Sequence, residues 1–572
     1  MTASAPHAAQ ITLAETLGLL DAHFAETVEG VAADKYGFWL GSGISLGRMP
    51  GLKDVVEIAL DHLQTQVDQT NPECPFRGSL ELAFNLAKLT DDEKLEIDFG
   101  ARASAWPHIK KLRDNLEPEY ARLLDAAPEN REPDYMVWTG IDVVGRFADP
   151  TLEPDAEHIA IAALVLEGVA SDIASANWDG LVEKAVDQFG GPDLLQVAVL
   201  PEDIRVPKIR SRLYKFHGCA VLAGKNEAVY RPRMVGRKSQ LNNWVAAGEN
   251  RVIAGRLIDL VTTKPTFMLG LSAQDSNIQH VFAAADARMA WPFPSHPPAY
   301  VFSEDKLGFD QVGLLQNVYR TAYSSNRRVI MESALLKAFA KPLLASLWLA
   351  VLTSKLAAIV HLAANDMPDA ERDAVRAGIR ALRDHVASGA PIDQHEAFLR
   401  AALPWVGRLM SLFHDGQLPA LGSVPYRPLS VHPTPQLLAD PATASSGLGG
   451  LAVATGLIGM GVDRGLWAAT AASPADPKSG ALGLESPAKT SQMFFAANAQ
   501  SAGRLFEQGH IGEQDDAIIV HSEAIAPAMP RAPRPMPGRK AEPALRQVSI
   551  AEITRGATSA ADLFQRFHEK II

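Results

Sequence analysis

The sequence predicts an α/β protein with a doubly wound, mostly parallel, Rossmann-like sheet, a helical insertion and a mainly helical C-terminal region. Three observations predict this class. Short apolar runs alternate with segments of helical periodicity through the first half of the chain, glycine-rich or polar turns follow several of those runs, and long helical stripes occupy the second half. Apolar strands that alternate with helices are typical of a parallel sheet covered on both faces.

The first half contains an ordered series of predicted elements. Thr12 and Glu15 form a capping box, and an apolar stripe from Leu13 to Val28 predicts one amphipathic helix. Strands are predicted at residues 36–40, 170–176, 194–200, 212–216, 266–271 and, last, 299–302; helices are predicted at 53–67, from 181 and at 275–289. Residues 78–148 are helix-like and rich in charge, which predicts a helical insertion at about 78–150.

The second half, residues 331–572, is predicted to be a separate regulatory or oligomerisation domain after a first domain at 1–330. Helices are expected at 333–364, around 375–386 and at 398–413, with a last amphipathic helix at 559–571 that docks on the chain or on a neighbour. Prolines clustered at 419–441 and 527–543 predict breaks or a linker. Residues 333–364 and 447–462 have few charges to shield them, so a homo-oligomer is predicted; alternatively, they cover each other within one subunit.

Composition sets further limits. The 572 residues are 47% apolar and 21% charged, an ordinary globular composition. The net charge of −12 argues against nucleic-acid binding over the whole surface. A local basic stretch at residues 231–238 is either a patch or a solvated loop. Residues 1–10 lack the pattern of a signal peptide, and the apolar stretches 343–363 and 447–462 are interpreted as buried, so we expect a cytoplasmic protein without membrane contact.

The two cysteines, Cys74 and Cys219, exclude a disulfide framework and a four-cysteine zinc site. We therefore expect no metal, and in particular no zinc.

Four short motifs follow predicted strands in a fixed order. They are Gly41-Ser42-Gly43-Ile44-Ser45, Asn177-Trp178-Asp179, His217-Gly218, and Gly270-Leu271-Ser272-Ala273-Gln274-Asp275. A glycine-rich turn between a strand and a helix is suited to cradle a phosphate, because the backbone can approach the anion and free N–H groups can bind it. Ligands of open α/β sheets bind outside the carboxyl ends of the strands, where these motifs are expected.

The ordered set resembles the sirtuin-like NAD-binding family, over roughly residues 30–305. That family has a Gly-Ala-Gly-x-Ser loop, a Thr-x-Asn-x-Asp turn, a His-Gly dipeptide and a Gly-x-Ser-x-x-Asp segment. The chain is similar in particular to bacterial NAD-consuming effectors of phage defence, in which the first loop often continues into Arg-x-Pro, here Arg48-Met49-Pro50. Ser42 replaces the commoner alanine, and Trp178 stands where a smaller residue is usual, which predicts a narrower nicotinamide pocket.

The resemblance implies a function and a role for each motif residue. It implies an NAD⁺ glycohydrolase that yields nicotinamide and ADP-ribose, with NAD⁺ as substrate, regulated as an anti-phage effector and paired with an ATPase, with an Argonaute-like protein, or acting as an assembly. Asn177 would hold the attacking water, His217 would accept a proton, and Asp179 would bind the ribose or the nicotinamide amide. The pyrophosphate would meet Gly41, Ser42, Gly43 and Ser45, with Arg48 also binding the cofactor, and the adenosine side would meet Gly270, Ser272 and Asp275.

Alternative interpretations stay open. Asn177 and Asp179, or Ser272 and Asp275, are residue types that cap helices without any catalytic role. The fold would also serve as a non-catalytic sensor of NAD or an ADP-ribose derivative. Protein deacylation is the weaker third hypothesis, because deacylating sirtuins carry a zinc module of two Cys-x-x-Cys pairs that this chain cannot build.

Overall fold

A seven-stranded parallel sheet forms the centre of the first half. The structure is a computed structural model and describes residues 8, 10–289, 291–294, 297–420, 423–471, 480–487, 489–511, 516–523 and 546–571. The spatial order of the strands is β3-β4-β2-β1-β5-β6-β7. In chain order they are β1 Gly37–Leu40, β2 Asp172–Ser175, β3 Leu195–Ala198, β4 Ser211–Lys215, β5 Thr266–Leu269, β6 Tyr300–Ser303 and β7 Leu335–Leu336. The predicted α/β class is confirmed, and β7 is a strand that the sequence analysis did not predict.

Helices cover both faces of this sheet and form the insertion. In chain order they are α1 Leu13–His23, α2 Ala25–Ala32, α3 Leu52–Thr65, α4 Pro75–Leu86, α5 Asp91–Leu95, α6 Ile109–Leu116, α7 Tyr120–Asp125, α8 Val143–Phe147, α9 Ala156–Leu166, α10 Leu181–Gly190, α11 Ala220–Lys225, α12 Glu227–Tyr230, α13 Lys238–Asn243, α14 Arg251–Thr263, α15 Ser276–Arg288, α16 Phe309–Tyr319 and α17 Thr321–Ala334. Short 3-10 turns occur at Ser42–Ser45, Ala103–Ala105, Glu117–Glu119, Pro201–Arg205, Arg231–Arg233 and Gly248–Asn250, and a π-helical turn at Met136–Gly140.

The N-terminal capping box is confirmed, but the helix it begins is shorter than predicted. Thr12 accepts a hydrogen bond from the Glu15 backbone and Glu15 from that of Thr12. The chain leaves helical geometry at Phe24, which ends α1 and begins α2. The apolar stripe continues across this break because both helices bury the same side, so the stripe alone could not reveal it.

The C-terminal region is helical, as predicted, and also carries a second sheet. Its helices are α18 Ala340–Ile359, α19 Asp369–Ser388, α20 His395–Asp415, α21 Thr434–Ala439, α22 Pro441–Ser445, α23 Leu448–Asp463, α24 Ala499–Glu507, α25 Ile550–Thr554 and α26 Ala560–Ile571, with a 3-10 turn at Val360–Leu362. The sheet has the order β12-β11-β10-β9-β8 and consists of β8 Ala468–Ala471, β9 Leu482–Glu485, β10 Thr490–Ala496, β11 Ala517–His521 and β12 Arg546–Ser549. The predicted linker at 527–543 lies outside the described residues.

The long helix or helix pair predicted at 333–364 begins later than predicted, because a short strand occupies its start. Helix α17 ends at Ala334, β7 joins the parallel sheet, and α18 begins only at Ala340. The pairing of Ser303 with Leu336 in β6 and β7 outweighs the local helical preference.

Helix α18 is a core helix. By length and composition the segment Ala340–Leu362 could cross a membrane, but 72% of its most apolar window is buried in the fold. It packs on α1, α2 and α9 of the first half. The Lys355 ammonium is fully buried, where it pairs with Glu167 at 2.7 Å and also donates to the Ser430 carbonyl. The charge inside the apolar stretch therefore serves as a buried link between the two halves.

The glycine-rich segment at 447–462 becomes α23, which packs closely on α19. A Cβ atom at Gly459 would lie 1.8 Å from the carbonyl oxygen of Gly378, and one at Gly378 would lie 2.1 Å from that of Gly456. Helix α26 docks on its own chain, where Glu371 of α19 accepts a hydrogen bond from its first N–H at 2.7 Å. Most of both apolar segments is thus buried within one chain, as the alternative interpretation expects, and the homo-oligomer stays a prediction.

Candidate active site

A cleft lies at the carboxyl edge of the parallel sheet. The loops that follow β1, β2, β4 and β5 line it, together with Tyr120 and Phe147 from the helical insertion. Of the sequence-predicted site residues, the cavity brings together Gly41, Ser42, Ser45, Asn177, Asp179, His217, Gly270, Ser272 and Asp275. Gly43 lines an adjoining cavity that continues past the same loop. The two cavities hold about 740 and 1780 Å³ of empty space, including their open mouths.

The glycines of the first and fourth motifs let two loops touch backbone to backbone. The N–H of Gly43 donates to the carbonyl of Gly270 at 3.0 Å. A Cβ atom at Gly41 would lie 2.4 Å from that same oxygen, and one at Gly43 would lie 2.6 Å from the Gly270 Cα. Gly270 itself has φ of +59°, which favours glycine. These glycines are therefore required to assemble the cleft, whatever it binds.

Ser45 is the centre of a buried hydrogen-bond network. The backbone N–H of Asp155 donates to Nδ1 of His158 at 3.1 Å, so the proton of this imidazole is on Nε2, which lies 3.1 Å from the Ser45 hydroxyl. The amide Nδ2 of Asn177 also donates to Ser45 Oγ, at 3.2 Å. Ser45 in turn donates to Oδ2 of Asp179 at 3.0 Å. One hydroxyl thus uses its single proton and both lone pairs.

This network orients the Asn177 side chain. With its nitrogen on Ser45, the other amide atom, Oδ1, is buried and has no hydrogen-bond partner among the described residues. A buried acceptor without a partner is costly unless a ligand or water satisfies it. Asn177 lines the cavity, so the structure holds a free acceptor at the position that the sequence analysis gave to the water-binding residue.

Asp179 has a structural role as well. Its Oδ1 accepts a hydrogen bond from the N–H of Leu181, the first residue of α10, at 3.1 Å. Asp179 thus satisfies the first N–H of α10, although the N-cap residue is Gly180, while its Oδ2 belongs to the Ser45 network. Its backbone carbonyl accepts from the buried Lys215 ammonium, which also pairs with Glu183 at 2.9 Å.

His217 is buried and neutral at the end of β4. Burial lowers its pKa below the usual 6.5, against the opposing effects of Asp275, Asn277 and the Ala176 backbone. Its Nε2 lies 2.9 Å from the amide nitrogen of Asn277, a fully buried residue of α15. The side chain is thus held in one orientation by a residue outside the four motifs.

The remaining predicted residues differ in their surroundings. Asp275 accepts a hydrogen bond from the hydroxyl of Tyr120 at 2.9 Å, which ties the insertion to the fourth motif; burial and Asp275 raise the Tyr120 pKa well above its usual value. Ser272 is exposed in the cleft. Arg48 does not line either cavity: its guanidinium pairs with Glu396 of α20 and lies 3.7 Å from Asp155.

Trp178 also lines the cavity. Its ring meets Phe147 edge to face, with centroids 5.3 Å apart, and its Nε1 donates to the Val235 carbonyl at 3.1 Å. Two contacts therefore hold the Trp178 ring in the cavity wall. The predicted narrowing of the nicotinamide pocket by this ring stays a prediction.

The sequence analysis missed His158, Asn277 and Tyr120. The spacing of Asp155 and His158 signals a capping box, which the structure contains, but not the contact with Ser45. Asn277 and Tyr120 had no signal, because their partners lie 60 and 155 residues away. Cys74 and Cys219 are free, and within the described ranges there is no group of three or more His, Cys, Asp or Glu side chains that could hold a metal ion.

Fold and cleft together define an α/β protein with a ligand site at the carboxyl edge of its parallel sheet. Comparison with family models gives the more specific class: residues 171–323 match the SIR2-like domain. This segment of the chain is similar to a sirtuin-like domain, and the similarity supports an NAD-related function. The match includes the second, third and fourth motifs and begins after the first loop. A search of curated proteins found no match.

Proposed function

We propose that this protein is an NAD⁺ glycohydrolase that cleaves the bond between nicotinamide and ribose. The free Oδ1 of Asn177 in the cleft is the observation that carries the proposal. In the reaction, the C1′–N bond breaks and its electron pair leaves with nicotinamide, while a water oxygen bonds to C1′. Asn177 Oδ1 accepts a hydrogen bond from this water, and the proton that the water loses passes to His217 or to solvent.

The surroundings of these two residues suit the reaction. A neutral imidazole can take a proton, and burial keeps His217 neutral. The Ser45 network fixes Asn177 before substrate arrives, so little reorganisation is needed. Asp179 adds negative charge near the sugar, which favours the positive charge that develops there.

The test is to incubate the full-length protein with NAD⁺ and to separate the products by chromatography. We expect nicotinamide and ADP-ribose from the wild type and strongly reduced amounts from Asn177→Ala and His217→Ala. His280→Ala, on the exposed side of α15, is the matched control and should retain activity. If observed hydrolysis is unchanged in both site variants, the site assignment is wrong.

A specific observation favours the second candidate, a sensor of NAD or an ADP-ribose derivative. Nε2 of His217, the atom that would accept the proton, lies in hydrogen-bond contact with Asn277. Calorimetry that detects tight NAD⁺ binding, combined with no product under any activating condition, would support the sensor and contradict the hydrolase.

We further propose that the hydrolase is a regulated, cytoplasmic anti-phage effector. Unregulated NAD⁺ hydrolysis would be toxic, and Arg48 connects the first loop to α20 of the C-terminal region through Glu396. That contact supports a role of the C-terminal region in regulation. The test is cellular NAD⁺ after phage infection, which should fall in cells with the wild type and not with Asn177→Ala. The homo-oligomer and a partner ATPase or Argonaute-like protein remain predictions.

A further inference from the structure

The cleft continues away from His217 into a second cavity that the C-terminal region closes. Ser42, Gly270, Ser272 and Gln274 line both cavities, so a single extended ligand can occupy them together. The far walls of the second cavity are the end of β6, the first turn of α9, the first turn of α18 and the start of α20. We call the part lined by α9, α18 and α20 the far end of the cleft.

Two buried polar side chains at the far end each have one atom without a hydrogen-bond partner. Glu157 is 4% exposed and His395 is 7% exposed, and both line the cavity. Glu157 Oε2 and His395 Nδ1 form no hydrogen bond within the part of the chain that the structure describes. Because each unpaired buried polar atom costs free energy, two in one cavity indicate a ligand that supplies hydrogen bonds.

The charge of the far end indicates which ligand groups fit. Lys341 is already paired with Asp155 at 2.7 Å, so its charge is largely compensated. The cavity lining also includes Glu117, Glu304 and Asp393. This acidic lining suits hydroxyl and amino groups, which donate hydrogen bonds, and it disfavours a phosphate. Glu304 follows β6 directly, a position from which a carboxylate can bind a ribose hydroxyl.

We propose that Glu157 and His395 bind the adenine base of an adenine dinucleotide that carries no 2′-phosphate. The proposal rests on the proposed function and adds to it two specificity-determining residues, one from each half of the chain. Adenine presents an amino donor beside a ring-nitrogen acceptor. Burial raises the Glu157 pKa to about 8, so near neutral pH the side chain is mostly a carboxylic acid with one donor and one acceptor, and neutral His395 offers a further ring nitrogen.

The test measures binding of two probes to the full-length protein by calorimetry. ADP-ribose contains adenosine, whereas nicotinamide mononucleotide lacks it. The mononucleotide would occupy only the cavity lined by Asn177 and His217, which we call the proposed catalytic end, or catalytic end for short. The key variant is Glu157→Leu, which has similar size but no hydrogen-bonding group. The matched control is Glu157→Gln, whose amide keeps one donor and one acceptor. His395→Phe is a second variant from the other half of the chain.

We expect Glu157→Leu to weaken ADP-ribose binding at least tenfold, with affinity for nicotinamide mononucleotide unchanged, and Glu157→Gln to bind ADP-ribose within about threefold of the wild type. The thermal midpoint of Glu157→Leu should not fall, because the substitution removes a buried carboxyl oxygen that has no hydrogen-bond partner. The inference would be wrong if a variant lost affinity equally for ADP-ribose and nicotinamide mononucleotide. It would also be wrong if Glu157→Leu or His395→Phe bound ADP-ribose as tightly as the wild type. Either result would leave the proposed function standing. Failure of the wild type to bind either probe would overturn the proposed function as well.

Discussion

The two ends of the cleft differ in how their polar groups are satisfied. At the catalytic end, Ser45, His158, Asn177 and Asp179 bind one another, and the Oδ1 atom of Asn177 is left for a ligand. At the far end, Glu157 and His395 each have an unpartnered buried atom. The difference indicates that the catalytic end is rigid before substrate binds, as chemistry requires, while the far end gains its hydrogen bonds only from the ligand.

The largest expected effect is at the catalytic end. His217→Ala should lower kcat/KM for NAD⁺ by about 10²–10⁴-fold, because general-base catalysis is lost. Steady-state kinetics with the His280→Ala control will measure this. If kcat/KM of His217→Ala is within about threefold of the wild-type value, the imidazole is not the general base.

Loss of the central hydroxyl should destabilise the catalytic end. Ser45→Ala leaves donors on His158 and Asn177 and an acceptor on Asp179 without partners, so the free energy of unfolding should fall by about 1–3 kcal/mol. Denaturant unfolding will measure it, with the exposed Ser42→Ala as control. The comparison of the two ends would fail if Ser45→Ala lost no more stability than Glu157→Leu.

The acidic far end should discriminate against NADP⁺. We expect kcat/KM for NADP⁺ to be about tenfold lower than for NAD⁺, since one unfavourable contact of roughly 1.4 kcal/mol has this effect. Glu304→Gln removes one carboxylate from this lining, so the preference for NAD⁺ over NADP⁺, measured as the ratio of their kcat/KM values, should become smaller. If the wild type has the same kcat/KM for NAD⁺ and NADP⁺, the adenosine ribose does not bind at the acidic far end.

The smallest expected effect is the pH dependence near neutrality. Because the folded-state pKa of His217 lies below 6.5, the imidazole stays neutral as the pH falls to that value, and kcat/KM should decline only at lower pH. The free energy of unfolding should change in the same direction, falling as the pH falls. The unfolded state binds protons first, so the contribution of His217 is complete above pH 6.5 and declines as the pH falls. A pH–rate profile whose acid limb lies above pH 7 would contradict this assignment.

Local pattern was sufficient for the six predicted strands of the first half, but not for the break between α1 and α2 at Phe24 or for some of the contacts. Each predicted strand was found because an apolar run bounded by turns depends on neighbouring residues only. Arg48 shows the limit: its partner Glu396 is 348 residues away, and no motif connects them. The second sheet was missed although its strands are no shorter than those of the first sheet. Strand β12, for example, has one apolar residue, Val548, and therefore gives no apolar run.

The sequence by itself determined the α/β class and the order of the four motifs, because periodicity and glycine turns are local properties. The candidate NAD-binding residues came from the family resemblance of those motifs and stay predictions. The tertiary structure decided which of these residues share a cleft, that Arg48 turns towards the C-terminal region, and that Glu157 and His395 meet at one cavity. Such contacts depend on how distant segments pack, since burial and hydrogen-bond satisfaction are properties of the whole fold.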